Sequence, residues 1–441
     1  MEAALVRGDP VPLHEQIRSQ RRAALAGVVL GLLGLCGAAV WAVLVPSPDW
    51  RREAVVLGAT SGAMYAVAHN PDRLVPVTGL PAARLVLAAL RAADPGAATA
   101  TVVPDESLAT APRTPAAAVP GAVAVTPEAT VRASWAVCDA VDRRGALVAT
   151  TVIGDAAARA PVGADDGVLL AGPGDTTWLV AGGRRHRVDD GDGAVRAVFR
   201  LAGRLPRTAT GALVSALPEG PALATPVVPN RGDPAPRGLP GRVGDVLTTG
   251  VGDGLQYFAV LDGGLQEVPR VVADLLVVAS DARAARPVRA DVLGGATFVD
   301  TLAIAGWPTG PVRLVEPNEA PVTCWTWTPD RPEGGVWFGR DLPQTGAAPV
   351  TLAQADGPGE EVDAVVVGPG GAVRATVPGR GAGPLWLVSA AGVGYGVAND
   401  ATATALGVVL PAVQPAPEAA LRLLPSGRHL DLADAGRAVD A

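Results

Sequence analysis

Four histidines, three cysteines and two acidic, glycine-rich loops are the parts of this sequence whose residue types could do chemistry. His14, His69, His186 and His429 stand far apart, and no His-Glu-x-x-His run or close-set ligand pair joins them, so nothing resembles a zinc site of the usual spacing. They read as surface or loop histidines. Asp189, Asp190 and Asp192 in DDGDG could cradle a cation, and GVGDG from Gly250 could cradle a phosphate. Each falls where a turn between strands is expected, and we read both as turns. No Gly-x-Ser-x-Gly elbow and no Cys-His nucleophile pattern stands out. All 36 basic residues are arginines. A P-loop needs a lysine at the β- and γ-phosphates, so nucleotide hydrolysis by that route is excluded. No catalytic, cofactor-binding or metal-binding residue is nominated.

Cys36 lies inside an apolar run, with Leu35 where a lipidation signal needs a small residue, and reads as a small apolar helix residue. That leaves Cys138 in WAVCDA and Cys324 in PVTCWTW. In an oxidising compartment they are a disulfide candidate; the alternative is two unpaired buried thiols, because sequence does not show proximity.

Residues 23–45 carry no charge, and as a helix they extend roughly 34 Å at about 1.5 Å per residue, enough to cross a bilayer with some tilt. Arg18, Arg21 and Arg22 precede the run, while Asp49, Arg51, Arg52 and Glu53 follow it, with Trp41 and Trp50 near the outer interface. This places the N-terminus in the cytoplasm. The rival readings are a cleaved signal peptide, a lipoprotein signal and a buried core helix. The run is long for the first and too free of charge for the last. Over the whole chain, 54 Gly and 41 Pro make a turn-rich composition. The complete absence of lysine points to a GC-rich genome such as an actinobacterium's. The net charge of −7 argues against a nucleic-acid partner.

The expected organisation is a cytoplasmic tail (1–22), a transmembrane helix (23–45) and an extracytoplasmic domain (46–441). The expected fold is α+β and β-rich, an elongated propeller-like body with a central β-core and four small repeat modules in pseudo-two-fold arrangement. The modules cover about 54–100, 167–226, 246–280 and 385–432, and the core segments about 101–166 and 281–384. Each module joins strand-forming residues, a Gly turn and a second strand with an aromatic, at Tyr65, Trp178, Tyr257 and Tyr395 in turn. The first and third share a strand-then-helix tail, and the second and fourth share a helix ending in Leu-Pro, an A-B-A′-B′ order. Cys138 lies between the first pair and Cys324 between the second, which places them near a pseudo-two-fold axis and favours the bridge.

These features together resemble the EccB family, a core membrane component of type VII (ESX) secretion systems. The resemblance is carried by LVRGDP at Leu5, SGAMYAV and LVPVTGLPAARLVL in the first module, WAVCD at Trp135 and ALPEGPALATPVVPNRG at Ala216. It continues through VGDVLTTG at Val243, PVTCWTW at Pro321 and LGVVLPAVQPAPEAALRLLPSGRHLDLADA at Leu406. It implies a single-pass protein of the plasma membrane with a periplasmic body, a disulfide between Cys138 and Cys324, and no cofactor. It also implies assembly with the FtsK/SpoIIIE-like ATPase EccC, with EccD and EccE, and with the mycosin protease, in a ring-like complex where the chain self-associates. The alternatives are an envelope-anchored nucleotide hydrolase and a cell-wall-binding protein; the modules repeat their aromatics without a convergent polar set that either would use.

Overall fold

The computed structural model describes residues 13–44, 48–117, 119, 133–159, 162–163, 165–250, 254–280 and 282–437. The first 12 residues of the expected tail, Val45 and most of the proline-rich stretch before Trp135 lie outside the described residues, as do the side chains of His14 and Trp41. A continuous helix, α1 (Leu13–Leu44), runs through residues 23–44 and carries no charge there. Among the described residues no helix is long and apolar enough to cross a membrane; side chains 38–39 and 41–44 fall outside that description.

The chain forms two compact units, residues 1–77 with 98–116, and residues 78–97 with 117–441. In the smaller, β1 (Val55–Gly58), β2 (Met64–Ala68) and β3 (Arg73–Val77) form an antiparallel meander. The chain then forms α2 (Leu80–Ala89), part of the larger unit, before β4 (Ala100–Val103) returns parallel to β1. Trp50, Val56, Tyr65, Val67, Leu74 and Leu108 make this unit's core. The carboxylate of Asp105, on α3 (Asp105–Ala109), accepts the Thr60 N–H at 2.7 Å and so ties down the β1–β2 turn.

The larger unit opens with the hairpin of β5 (Trp135–Val141) and β6 (Leu147–Gly154). A second sheet follows from β7 (Asp166–Gly172), β8 (Thr176–Ala181), β9 (Arg184–Arg187) and β10 (Arg207–Thr208), with helix α4 (Gly193–Val198) before β10 and α5 (Gly211–Ala216) after it. A third comprises β11 (Val246–Thr249), β12 (Gln256–Leu261), β13 (Gly264–Val268) and β14 (Arg286–Pro287), with α6 (Arg270–Ala279) before its last strand. On α6, Val271, Val272, Leu275 and Leu276 are buried at helical spacing, the single stripe that a helix lying on a sheet requires. Strand β15 (Arg313–Leu314) adds to β7.

A second central hairpin, β16 (Val322–Thr328) and β17 (Arg331–Gly339), then joins the first. With β18 (Val350–Thr351) and β19 (Ala364–Val366) the central sheet has the order β17-β16-β5-β6-β19-β18. The fourth peripheral sheet is β20 (Gly370–Thr376), β21 (Ala382–Ser389), β22 (Gly394–Val397) and β23 (Gln414–Pro417), with α7 (Asp400–Ala405) before β23 and α8 (Glu418–Leu421) after it.

All four peripheral sheets have one topology, their strands ordered third-second-first-fourth, with the fourth parallel to the first. Tyr65, Trp178 and Tyr257 each sit on a second strand. In the fourth sheet that place is held by Trp386, and Tyr395 lies on the third strand, because the sheet begins at Gly370 rather than Leu385. The reason is local: GGAVRAT opens on two glycines, which dilutes the strand signal. Within the larger unit α4 packs against α6, and α2 packs against α7 and the short turn Leu432–Gly436.

Candidate functional site

From Trp135 to Cys138 strand β5 is apolar without a break because both faces of the central sheet are covered. Side chains alternate across a strand, so Trp135 and Val137 enter one core with Val152, Trp325, Trp327 and Val365. Ala136 and Cys138 enter the opposite core with Ile153, Val322, Cys324 and Val366. The register sets Cys138 directly across from Cys324, and the two are disulfide-bonded with Cα atoms 4.1 Å apart. The bridge joins the two hairpins across 186 residues of sequence. Both cysteines are fully buried.

One residue further along β5 the apolar pattern breaks at Asp139, which is 2% exposed. Its carboxylate accepts the Thr210 N–H at 2.7 Å and hydroxyls from Thr150 at 2.9 Å and Thr210 at 3.1 Å. Thr210 in turn caps α5 by accepting the Leu213 N–H. Burial drives the Asp139 carboxyl up to about 6, against those donors, which pull it down. Asp363, also buried, accepts the Thr150 N–H at 2.7 Å and the Gly357 N–H at 2.6 Å. On the same sheet face, Arg207 donates to the carbonyls of Ala320 and Val315 and to the Thr323 hydroxyl, and Thr323 pairs in register with Asp139. Burial lowers the Arg207 guanidinium to about 10, opposed by Glu316. Every one of these contacts fixes backbone or orients a neighbour, so the cluster locks α5 and the second sheet onto the stapled strands. Sequence reasoning missed it. Its available signal was a lone carboxylate inside the apolar strand WAVCDAV.

The residues singled out for their chemistry lie apart. His69 Nδ1 meets Asp72 at 3.0 Å on the surface, His186 is buried with Nδ1 2.9 Å from the Pro221 carbonyl, and His429 is exposed. Burial holds the His186 imidazole below its ordinary pKa. The DDGDG carboxylates are used by their own turn and by neighbouring loop and strand residues. Asp189 accepts from Gly191, Asp190 from the Thr177 hydroxyl, and Asp192 caps α4 through Ala194 and Val195 while accepting the Thr225 N–H at 2.7 Å. Burial raises the Asp192 carboxyl, but these donors outweigh it and hold it below the usual range. Gly250 follows β11 at φ 104°, where only glycine is unstrained; residues 251–253 of that loop lie outside the described residues. Among the described residues no three His, Cys, Asp or Glu side chains converge as a metal site would require.

Known proteins agree with this architecture. A family model described as type VII secretion system ESX-1, transport TM domain B, matches residues 1–441. The ESX-5 secretion system ATPase EccB5 of Mycobacterium tuberculosis (strain ATCC 25618 / H37Rv) is 34% identical over 95% of this chain and 86% of its own length. The ESX-3 secretion system ATPase EccB3 of the same strain is 31% identical over 98% and 86%. Among solved structures, a chain of an intact ESX-5 inner membrane complex superposes with a TM-score of 0.73 at 31% identity, covering 99% of this chain and 92% of that one. A chain of the EccB3 dimer from the ESX-3 core complex gives 0.73 at 30% identity, covering 88% and 100%. With a family model matching the whole sequence and relatives above 30% identical over nearly all of it, the protein belongs to the EccB family of type VII (ESX) secretion systems.

Proposed function

We propose that this chain is a non-catalytic structural subunit of a type VII secretion machine, anchored in the plasma membrane by residues 23–45 and building the periplasmic part of the assembly from residues 46–441. The observation that carries the reading is the 99% coverage of this chain by its counterpart in an intact ESX-5 inner membrane complex. The uncharged half of α1 supports the anchor: Leu25, Leu30 and Leu35 are each more than 65% exposed, an apolar surface that water does not favour. The separate helix pairings, α4 with α6 and α2 with α7, support a pseudo-two-fold relation between the second and third modules on one side and the elements of the first and fourth on the other. The scaffold reading is further supported by the Cys138–Cys324 staple, which rigidifies the sheet to which the modules attach.

In this reading the neighbours are an FtsK/SpoIIIE-like ATPase of the EccC type, EccD, EccE, further copies of the chain and a mycosin protease. The relatives carry the word ATPase in their names; this chain has no lysine to place on a nucleotide's phosphates. The test is extraction in mild detergent followed by native sizing. Comigration with an EccC-type ATPase far above the monomer mass is expected. Recovery as a free monomer from cells with intact secretion would refute the reading.

A further inference from the structure

The central sheet has one long edge whose main chain is unused. Strand β17, nine residues long, is the outermost strand on its side, and among the described residues no strand pairs with its outer edge. Which of its groups face outward follows from the register. In an antiparallel pair, residues at about 4.5 Å between Cα atoms do not exchange hydrogen bonds, and those at about 5.5 Å do. Cys138 and Cys324, at 4.1 Å, are therefore a non-bonded pair, and the Val141 N–H bond to the Pro321 carbonyl, three positions along the same register, agrees in parity. The main-chain groups of Cys324 then point to β17, where its partner is Trp337. Trp337 and Gly335 use their N–H and C=O on β16, so those of Val336 and Phe338 point away from the sheet.

Val336 and Phe338 also line a cleft of about 680 Å³, which runs along β17 from Asp330 to Phe338. Its far wall is the end of β8 and the Gly182–Arg184 turn. The tip of the hairpin is guarded against stray pairing, as edge strands usually are: Pro332 lacks a donor, Arg331 and Glu333 are charged and exposed, and Gly334 has φ 79°. From Gly335 to Gly339 these devices stop, and the strand reads Gly-Val-Trp-Phe-Gly.

We propose that the outer edge of β17 is a docking site for one extended peptide strand from a partner protein, which pairs with the main chain of Val336 and Phe338. Outward N–H and C=O groups on alternate residues are matched only by another extended backbone, and a five-residue ribbon is about 17 Å long and lies about 4.8 Å from its neighbour. The Gly182–Arg184 turn stands across the cleft from β17 and meets the hairpin tip, where Arg184 pairs with Glu333 at 3.1 Å. Pro332 opposes self-pairing of β17 for the same reason it guards the tip. The incoming strand has small or aliphatic side chains where it faces Val180, Ala181 and Phe338.

The inference rests on the assembly proposed above, and hydrogen exchange separates the two. The full-length chain is compared in the detergent-extracted assembly and purified alone. The amides of Val336 and Phe338 are expected to exchange about tenfold more slowly in the assembly. A benzophenone side chain in place of Asp330, which lines the cleft and is exposed, should cross-link to a peptide of another subunit, and Val336→Pro, which removes an outward donor, should abolish that cross-link while the chain still unfolds cooperatively. An intact assembly with unprotected amides overturns the docking site alone. So does a cross-link to a second copy of this chain, or to its own residues 120–132. Extraction of the chain without companions overturns both readings.

Discussion

Cys138 and Asp139 are adjacent on β5 and face opposite cores, so substitutions there test different forces. Cys138→Ala removes a bridge that closes a loop of 186 residues and should lower unfolding free energy by about 2–4 kcal/mol, measured by urea denaturation, with one thiol titrating on unfolding. Unchanged stability would mean that the sheet holds its register without the staple. Asp139 gives a pH dependence. Its folded pKa, about 6, lies above the 3.8 of the free side chain, so the native state binds the proton more tightly. Its contribution is full below about pH 4 and is lost as pH rises through about 6, on the order of 3 kcal/mol. Relative to Asp139→Asn, the wild type should therefore lose stability between pH 4 and pH 6, which paired denaturation curves would show. The cysteine pair was legible because compartment and repeat position agree on it. Asp139 was not, since a carboxylate's partners, Thr150 and Thr210, come from elements that only the fold brings together.

At the level of elements, the turns were easier to read than the sheets they close. DDGDG was legible as a turn, and its third aspartate proves to be the cap of α4. Asp192→Ala should cost about 1–2 kcal/mol, and millimolar calcium should leave the melting temperature of the wild type unchanged. A calcium-dependent rise would restore the cation reading. Meanders such as β1-β2-β3 announce themselves as strand runs parted by turn residues, Gly62 in the first turn and Asn70-Pro71-Asp72 in the second. The fourth strand of each sheet does not. It runs parallel to the first, arrives after a helix, and in β10 and β14 is only two residues long, so neither period nor local turn chemistry marks it. β23 is hidden for another reason, since QPAP contains two prolines that suit only an edge.

For the whole molecule the decisive measurement is the mass at which the chain migrates out of the membrane, because family membership and architecture say what it builds rather than what it converts. The β-rich class, the disulfide and the family were within reach of the sequence, the last because its motifs are spread over the full length. The central sheet was legible only as two segments: its six strands come from 135–154 and 322–366, and their order is a non-local fact. That arrangement has a consequence for how the chain comes into being. A ribosome delivers β5 long before β16, so the middle of the molecule cannot close until the chain beyond Val322 has been made. The first sheet is complete by residue 103, while Cys138 and the apolar faces around it wait unpaired for a partner still to be made. A chain truncated before Val322 should thus keep an ordered β1–β4 sheet and expose β5 as an open, aggregation-prone edge.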